Sequence, residues 1–215
     1  MRFFVMDKVN QRIPWMLLLI TVASSFFVCV QAAPSSQFVP VGTVEDVHYA
    51  TRLWDAMVRD QLEGESRKNN APFFGGAKPH GEILELSYQN LTLGAHTGFI
   101  VVKRNYGKAG ESGVRGVVTV ERVSEDRTRY LDSITVMFQR EAGFDEDHQN
   151  WFWVKYKPDG TLFTKKVEGR LTALAGRLLK SRQGADNSGC IYCHSSAGGG
   201  DYIFYSEIID YMNHQ

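Results

Sequence analysis

The chain is short of three things that often reveal a protein's class. It has no excess of charge: 24 Lys and Arg balance 24 Asp and Glu over 215 residues, so nothing electrostatic marks it for nucleic acid or for an anionic membrane surface. It has only three cysteines, an odd number and a small one for the disulfide framework of a compact secreted scaffold. It has no long apolar run. The longest, Trp15 to Val30, covers 16 residues, short of the ~20 that a spanning helix prefers. What is present is ample core material, 43% hydrophobic and 12% aromatic residues, with no repeat and no low-complexity tract. That excludes disordered and collagenous classes and suits one domain or a tight pair of subdomains.

The apolar run follows a basic start, Arg2, Lys8 and Arg12, and precedes Ala32-Ala33-Pro34. This is the layout of a secretory signal peptide, with cleavage expected after Ala32. A retained membrane anchor is the competing reading. Phe27-Val28-Cys29 lacks the small residues that precede a lipidated cysteine. Cleavage of residues 1–32 removes three of the 24 basic and one of the 24 acidic side chains, leaving 21 and 23 and a net charge of −2. It also removes Cys29, so the exported, periplasmic chain keeps two cysteines, Cys190 and Cys193.

Residues 33–42 read as a linker and 43–215 as the folded domain. Val47, Trp54, Met57, Val58 and Leu62 recur at helical intervals behind Thr43, a good N-cap with Glu45 and Asp46 in the first turn. The period then falls to two: Glu82–Tyr88, Phe99–Val102, Val117–Val123, Ile134–Phe138, Trp151–Tyr156 and Thr161–Val167 are short and rich in β-branched and aromatic residues. Lys157-Pro158-Asp159-Gly160 predicts a hairpin turn, Gly107–Gly116 a loop, and Leu171–Lys180 a second helix. The expected fold class is α+β: an N-terminal helix, an antiparallel sheet of five or six strands, and a short helix before the cysteines.

Cys190-Ile191-Tyr192-Cys193-His194 is the attachment sequence for c-type haem. Two thiols at this spacing meet the two vinyl groups of one porphyrin, and the adjacent histidine reaches the iron as axial ligand. Export suits the chemistry, because c-type haem is attached outside the bacterial cytoplasm. Three other readings compete. A structural zinc needs four ligands and would have to recruit distant histidines. A redox dithiol usually opens a helix early in a thioredoxin-like pattern. A disulfide across two residues would be strained. The sixth iron position could be left open, or closed by Met57, Met137, His48, His80, His96 or His148, none of which sits in a ligand motif. His80 between Pro79 and Gly81, and His148 among Asp145, Glu146 and Asp147, read as loop residues.

Taken together, Lys78–Ile83 leading to Asn90, Gly98–Tyr106, Val136–Phe144, Asn150–Tyr156 with Asp159-Gly160, and Cys190–His194 with Asp201–Phe204 resemble the cytochrome P460 family over about residues 72–206. The resemblance implies a largely antiparallel β fold carrying one haem c, five-coordinate through His194. It implies oxidation or binding of a small nitrogen compound, hydroxylamine or nitric oxide, with electrons exchanged with an acceptor or donor cytochrome. The alternative is a non-enzymatic binder of diatomic gases, of the cytochrome c′-β type, or an electron carrier. Family members include dimers, which makes a homodimer an option here. The lysine matching the one bonded to the porphyrin edge in hydroxylamine-oxidising members is Lys103. On a strand Lys103 shares a face with Phe99 and Val101. If that face is buried, the ammonium needs a carboxylate partner or a covalent bond; a strand-end lysine reaching water is the simpler reading. Trp151, Phe152, Trp153, Phe138 and Tyr156 could wall the haem or pack the sheet. A distal base would have to be a carboxylate such as Asp145, Glu146 or Asp147.

Overall fold

Thr43 starts the first helix as expected. Its hydroxyl accepts from the Asp46 backbone N–H while the Asp46 carboxylate accepts from the Thr43 N–H, a reciprocal capping box. Helix α1, Val44–Arg59, buries Ala50, Leu53, Ala56 and Met57 along one stripe. The computed structural model describes residues 41–68, 73–77, 80–107, 118–167, 169–178 and 189–214, with the side chain of Val167 left out. The expected signal peptide, most of the linker and nearly all of loop 107–116 lie outside the described residues. Among those described, no helix is long and apolar enough to cross a membrane.

The fold is α+β. Strands β1 (Phe73–Gly75), β2 (Ile83–Leu93), β3 (His96–Tyr106), β4 (Leu131–Gln139), β5 (Trp151–Tyr156) and β8 (Ala175–Gly176) form one antiparallel sheet in the order β1-β2-β3-β4-β5-β8. Strands β6 (Thr164–Val167) and β7 (Arg170–Ala173) pair as a separate hairpin. The turn after β5 is closed by Lys157 N–H donating to Thr161 and Gly160 N–H donating to Lys157. Gly160 has φ of +83°, and a Cβ there would stand 2.5 Å from the Trp54 ring, so only glycine allows α1 to lie on this turn.

Two expected elements are corrected. Leu171–Lys180 is not a helix: its described part is β7 and β8, and Ala175 and Gly176 pair with Val154 and Trp153. The described part of Val117–Val123, from Val118 on, is not a strand. Helix α2, Val120–Glu125, starts behind Thr119, whose hydroxyl accepts from Arg122 N–H, and the short helix α3, Arg127–Tyr130, follows it.

Alternation along the central strands gives the sheet two dry faces. Ile100, Val102, Ile134, Val136, Phe138, Phe152, Val154 and Tyr156 pack with Leu91 and Leu93 against α1. Leu86, Tyr88, Phe99, Val101, Met137, Trp151 and Trp153 face the other way, where Leu178, Ile191, Ile203 and Ile208 cover them. Ile191 belongs to helix α4 (Cys190–His194) and Ile208 to helix α5 (Ser206–Asn213), with Ile203 between the two and Leu178 just after β8. The Cys-x-x-Cys-His turn is therefore laid on the sheet face opposite α1.

Candidate functional site

Register decides what lies under α4. One row across the sheet runs Tyr88, Val101, Met137, Trp153. The next runs Leu86, Lys103, Thr135, Lys155. Lys103 is 8% exposed, so it points inward. Burial lowers its pKa to about 8, with Cys190 opposing the shift. The partner of its ammonium nitrogen is a histidine rather than a carboxylate: Nζ lies 3.4 Å from His80 Nε2.

His80 does not sit in a solvated loop. Its Nδ1 is 3.1 Å from Asn105 Oδ1, and its ring lies 6.3 Å from that of His194, nearly perpendicular. Burial, then Lys103, His194 and Lys155, hold its pKa down at about 3, against a smaller opposing effect of Asn105. Gly81 makes the placement feasible. A Cβ there would meet Tyr106 O at 2.5 Å and N at 2.6 Å, so the chain entering β2 presses onto the end of β3 with no side chain between.

His194 is buried beneath Trp153 and Phe204, at ring separations of 4.8 and 5.2 Å. Its Nδ1 donates to the Tyr202 carbonyl at 2.7 Å. Burial, then Lys103, lowers its pKa to about 4, so the imidazole is neutral and Nε2 keeps its lone pair. The carbonyl is aimed by an unusual backbone: Tyr202 has φ of +68°, and Asp201 Oδ1 accepts from Ile203 N–H at 2.9 Å to close the turn. Gln149 reaches across to donate to Gly200 O. Cys190 is half-buried and Cys193 exposed. Burial pushes the Cys190 thiol up to about 11, the reverse of what an attacking redox cysteine needs. No group of three or more His, Cys, Asp or Glu able to hold a metal ion exists among the described residues, so the zinc reading finds no ligand set there.

The other proposed residues divide cleanly. Met57 is buried on the α1 side of the sheet, His48 is exposed on α1, and His96 Nε2 lies 2.9 Å from Gln139 O beside Phe138. Met137 and His80 stand on the side of α4. Phe138, Phe152 and Tyr156 pack the α1 face, leaving Trp151 and Trp153 as the aromatic wall of the site. Asp145 is buried, held by His148 Nδ1 at 2.9 Å with Arg177 at 3.9 Å, whereas Glu146 and Asp147 are exposed. That loop braces the turn before Tyr202. The indole N–H groups of Trp151 and Trp153 are buried with no acceptor among the described residues.

Reading residues in order raised His80 only as a candidate iron ligand in a loop, and missed its contact with Lys103 along with Asn105, Lys155 and the Tyr202 carbonyl. Lys155 was legible as a strand neighbour of Trp153. The others depend on a close backbone approach and a left-handed turn, which composition does not reveal. In comparisons with protein-family models, curated proteins and solved structures, nothing matches the chain.

Proposed function

We propose that the chain is an exported, periplasmic monohaem c-type cytochrome of the P460 type, which oxidises or binds a small nitrogen compound, hydroxylamine or nitric oxide, at a five-coordinate haem. The observation that carries this reading is His194. It shares a helical turn with both cysteines, gives its Nδ1 proton to a backbone carbonyl at 2.7 Å, and is neutral, the form in which histidine binds a metal.

The surroundings fit the group. A porphyrin brings a broad apolar plane to an apolar sheet face, and its two carboxylates suit a site holding Lys103, Lys155 and two acceptor-free indoles. Cys190 and Cys193 would hold it by thioethers and His194 would ligate the iron. Lys103 is where a further bond to the porphyrin edge would be made. Haem bound there would supply redox-active iron. Tyr88, Val101 and Met137 keep water from the sheet face, and Trp153 fixes the plane of the His194 ring. An acceptor or donor cytochrome would exchange electrons with it, and a homodimer is compatible with the reading.

A second reading, non-enzymatic binding of a diatomic gas or simple electron transfer, is favoured by one observation. The carboxylate nearest to a distal base in sequence, Asp145, is engaged by His148 and Arg177, and the charged side chains acting on His80 are basic. The reduced absorption spectrum separates the cases. A strongly red-shifted Soret band belongs to the cross-linked enzyme, and an ordinary haem c band that moves with nitric oxide belongs to the binder. Sharp bands indifferent to added ligands belong to the carrier. A mature protein that holds no covalent haem on a denaturing gel ends the proposal.

A further inference from the structure

Lys103 stands at the end of a fixed chain of hydrogen bonds. Asn105 Nδ2 faces three oxygens, Lys103 O at 3.2 Å, Ser133 O at 3.1 Å and Thr135 Oγ1 at 3.3 Å. That sets the orientation of the amide, because a carbonyl oxygen turned to three acceptors would be repelled. Oδ1 is thereby committed to His80 Nδ1 at 3.1 Å, so the His80 proton resides on Nδ1. His80 Nε2 is left as an acceptor, and the group in front of it is Lys103 Nζ at 3.4 Å. Lys103 and Asn105 are two apart on one strand and share a face, while His80 comes from the segment between β1 and β2, where Gly81 packs against Tyr106.

We infer that His80 and Asn105 are positioning residues for Lys103. Asn105 fixes the histidine tautomer, and the histidine takes one N–H of the lysine, so the lysine nitrogen meets the group held by Cys190, Cys193 and His194 at one defined place. A long, buried side chain without this anchor would sample several rotamers, and fixing it again would carry an entropic cost. The inference rests on the reading that this segment carries haem c, and it assigns a role to two residues outside the attachment motif.

The test uses the full-length holoprotein and the variants Lys103→Met, His80→Phe, His80→Gln, Asn105→Leu and the double variant Lys103→Met/His80→Phe. Covalent haem is scored on denaturing gels, folding by near-ultraviolet circular dichroism, and the site by the Soret maximum and the reduction potential. Lys103→Met defines the part of the spectrum and potential that depends on the lysine. The expected result is that His80→Phe and Asn105→Leu keep both thioethers but lose that part. His80→Gln, which retains an acceptor, recovers much of it, and the double variant matches Lys103→Met alone. A His80→Phe protein indistinguishable from wild type, or one whose shift adds in full to that of Lys103→Met, overturns the inference while leaving the haem reading intact. So does a Lys103→Met protein with unchanged spectrum and potential. Absence of covalent haem from the wild-type protein removes the reading and the inference together. Should His80→Phe fail to fold, Asn105→Leu and His80→Gln decide by the same comparison.

Discussion

Lys103 and Arg104 are successive residues with opposite fates, because successive side chains of a strand leave on opposite faces. Arg104, fully buried on the α1 side, is ringed by acceptors: Glu63 Oε1 at 2.8 Å, Ser87 Oγ at 3.1 Å and the Leu62 carbonyl. Its planar fork suits that crowd. Burial raises the Glu63 pKa, and Arg104 is the largest influence opposing that shift. Arg104→Ala should therefore leave an acid inside with less compensation and cost about 3–5 kcal/mol in urea unfolding; a loss below 1 kcal/mol would show that the pair contributes little. Lys103 has no such surroundings. In the polypeptide alone, Lys103→Met replaces a buried cation by an apolar chain of similar length and should stabilise by about 1 kcal/mol or more, read from the same denaturation midpoint. A residue that lowers the stability of its own fold is a reasonable place to look for function.

Among the elements, α1 and the approach to β2 show how single residues anchor long pieces of chain. Thr43→Ala removes one half of the capping box and should cost roughly 0.5–2 kcal/mol, measured by thermal or urea unfolding; Thr43→Ser should cost little. Gly81→Ala puts a methyl group against the Tyr106 backbone and should displace His80. The check is the His80 ring resonances of the polypeptide alone, which should keep their wild-type shifts if the segment has not moved. The two misread elements have physical causes. In residues 171–180 the leucines fall at helical intervals, yet Leu171 is 73% exposed and Gly176 takes φ of +107°, so there is no continuous buried stripe for a helix to present. Edge pairing with β5 prevails instead. In 117–123 the valines alternate as in a strand, but of the described ones only Val118 and Val123 are buried. Capping by Thr119 and the contact of Val123 with Tyr106 and Tyr130 select a short helix.

At the scale of the whole molecule, one sheet carries two different jobs. Its α1 face is a sealed core, and three tyrosines report on it and its margins. Tyr156 Oη donates to Ala50 O at 2.7 Å, and Tyr106 Oη to Glu85 Oε2 at 2.5 Å. Burial raises both pKa values, and raises that of Tyr49 to about 12. The unfolded chain loses these protons near pH 10, whereas the folded protein keeps them. Their contribution to stability is thus complete below about pH 10 and is lost as pH rises toward the folded values. Alkaline titration followed at 295 nm should show the exposed tyrosines ionising first and these three only with cooperative unfolding. Smooth ionisation of every tyrosine near pH 10 in a protein still folded by circular dichroism would contradict this.

The sequence by itself determined the fold class, the strands around 134–138 and 151–156, the cap of α1, and the Cys-x-x-Cys-His spacing near the C-terminus. Those are local properties: hydrophobic period, side-chain capping and cysteine spacing act over a few residues and need no partner. It determined too that Lys103 shares a face with Phe99 and Val101, since alternation is built into the strand. Only the tertiary structure decided that this face is the one beneath Cys190 and His194. Only tertiary packing brought His80 and Asn105 to the lysine and turned the Tyr202 carbonyl onto Nδ1 of His194. Each of these joins residues separated along the chain through a register, a side-chain-free glycine contact or a positive φ. Such contacts are set by which surfaces must be buried together, and no single stretch of sequence carries that information.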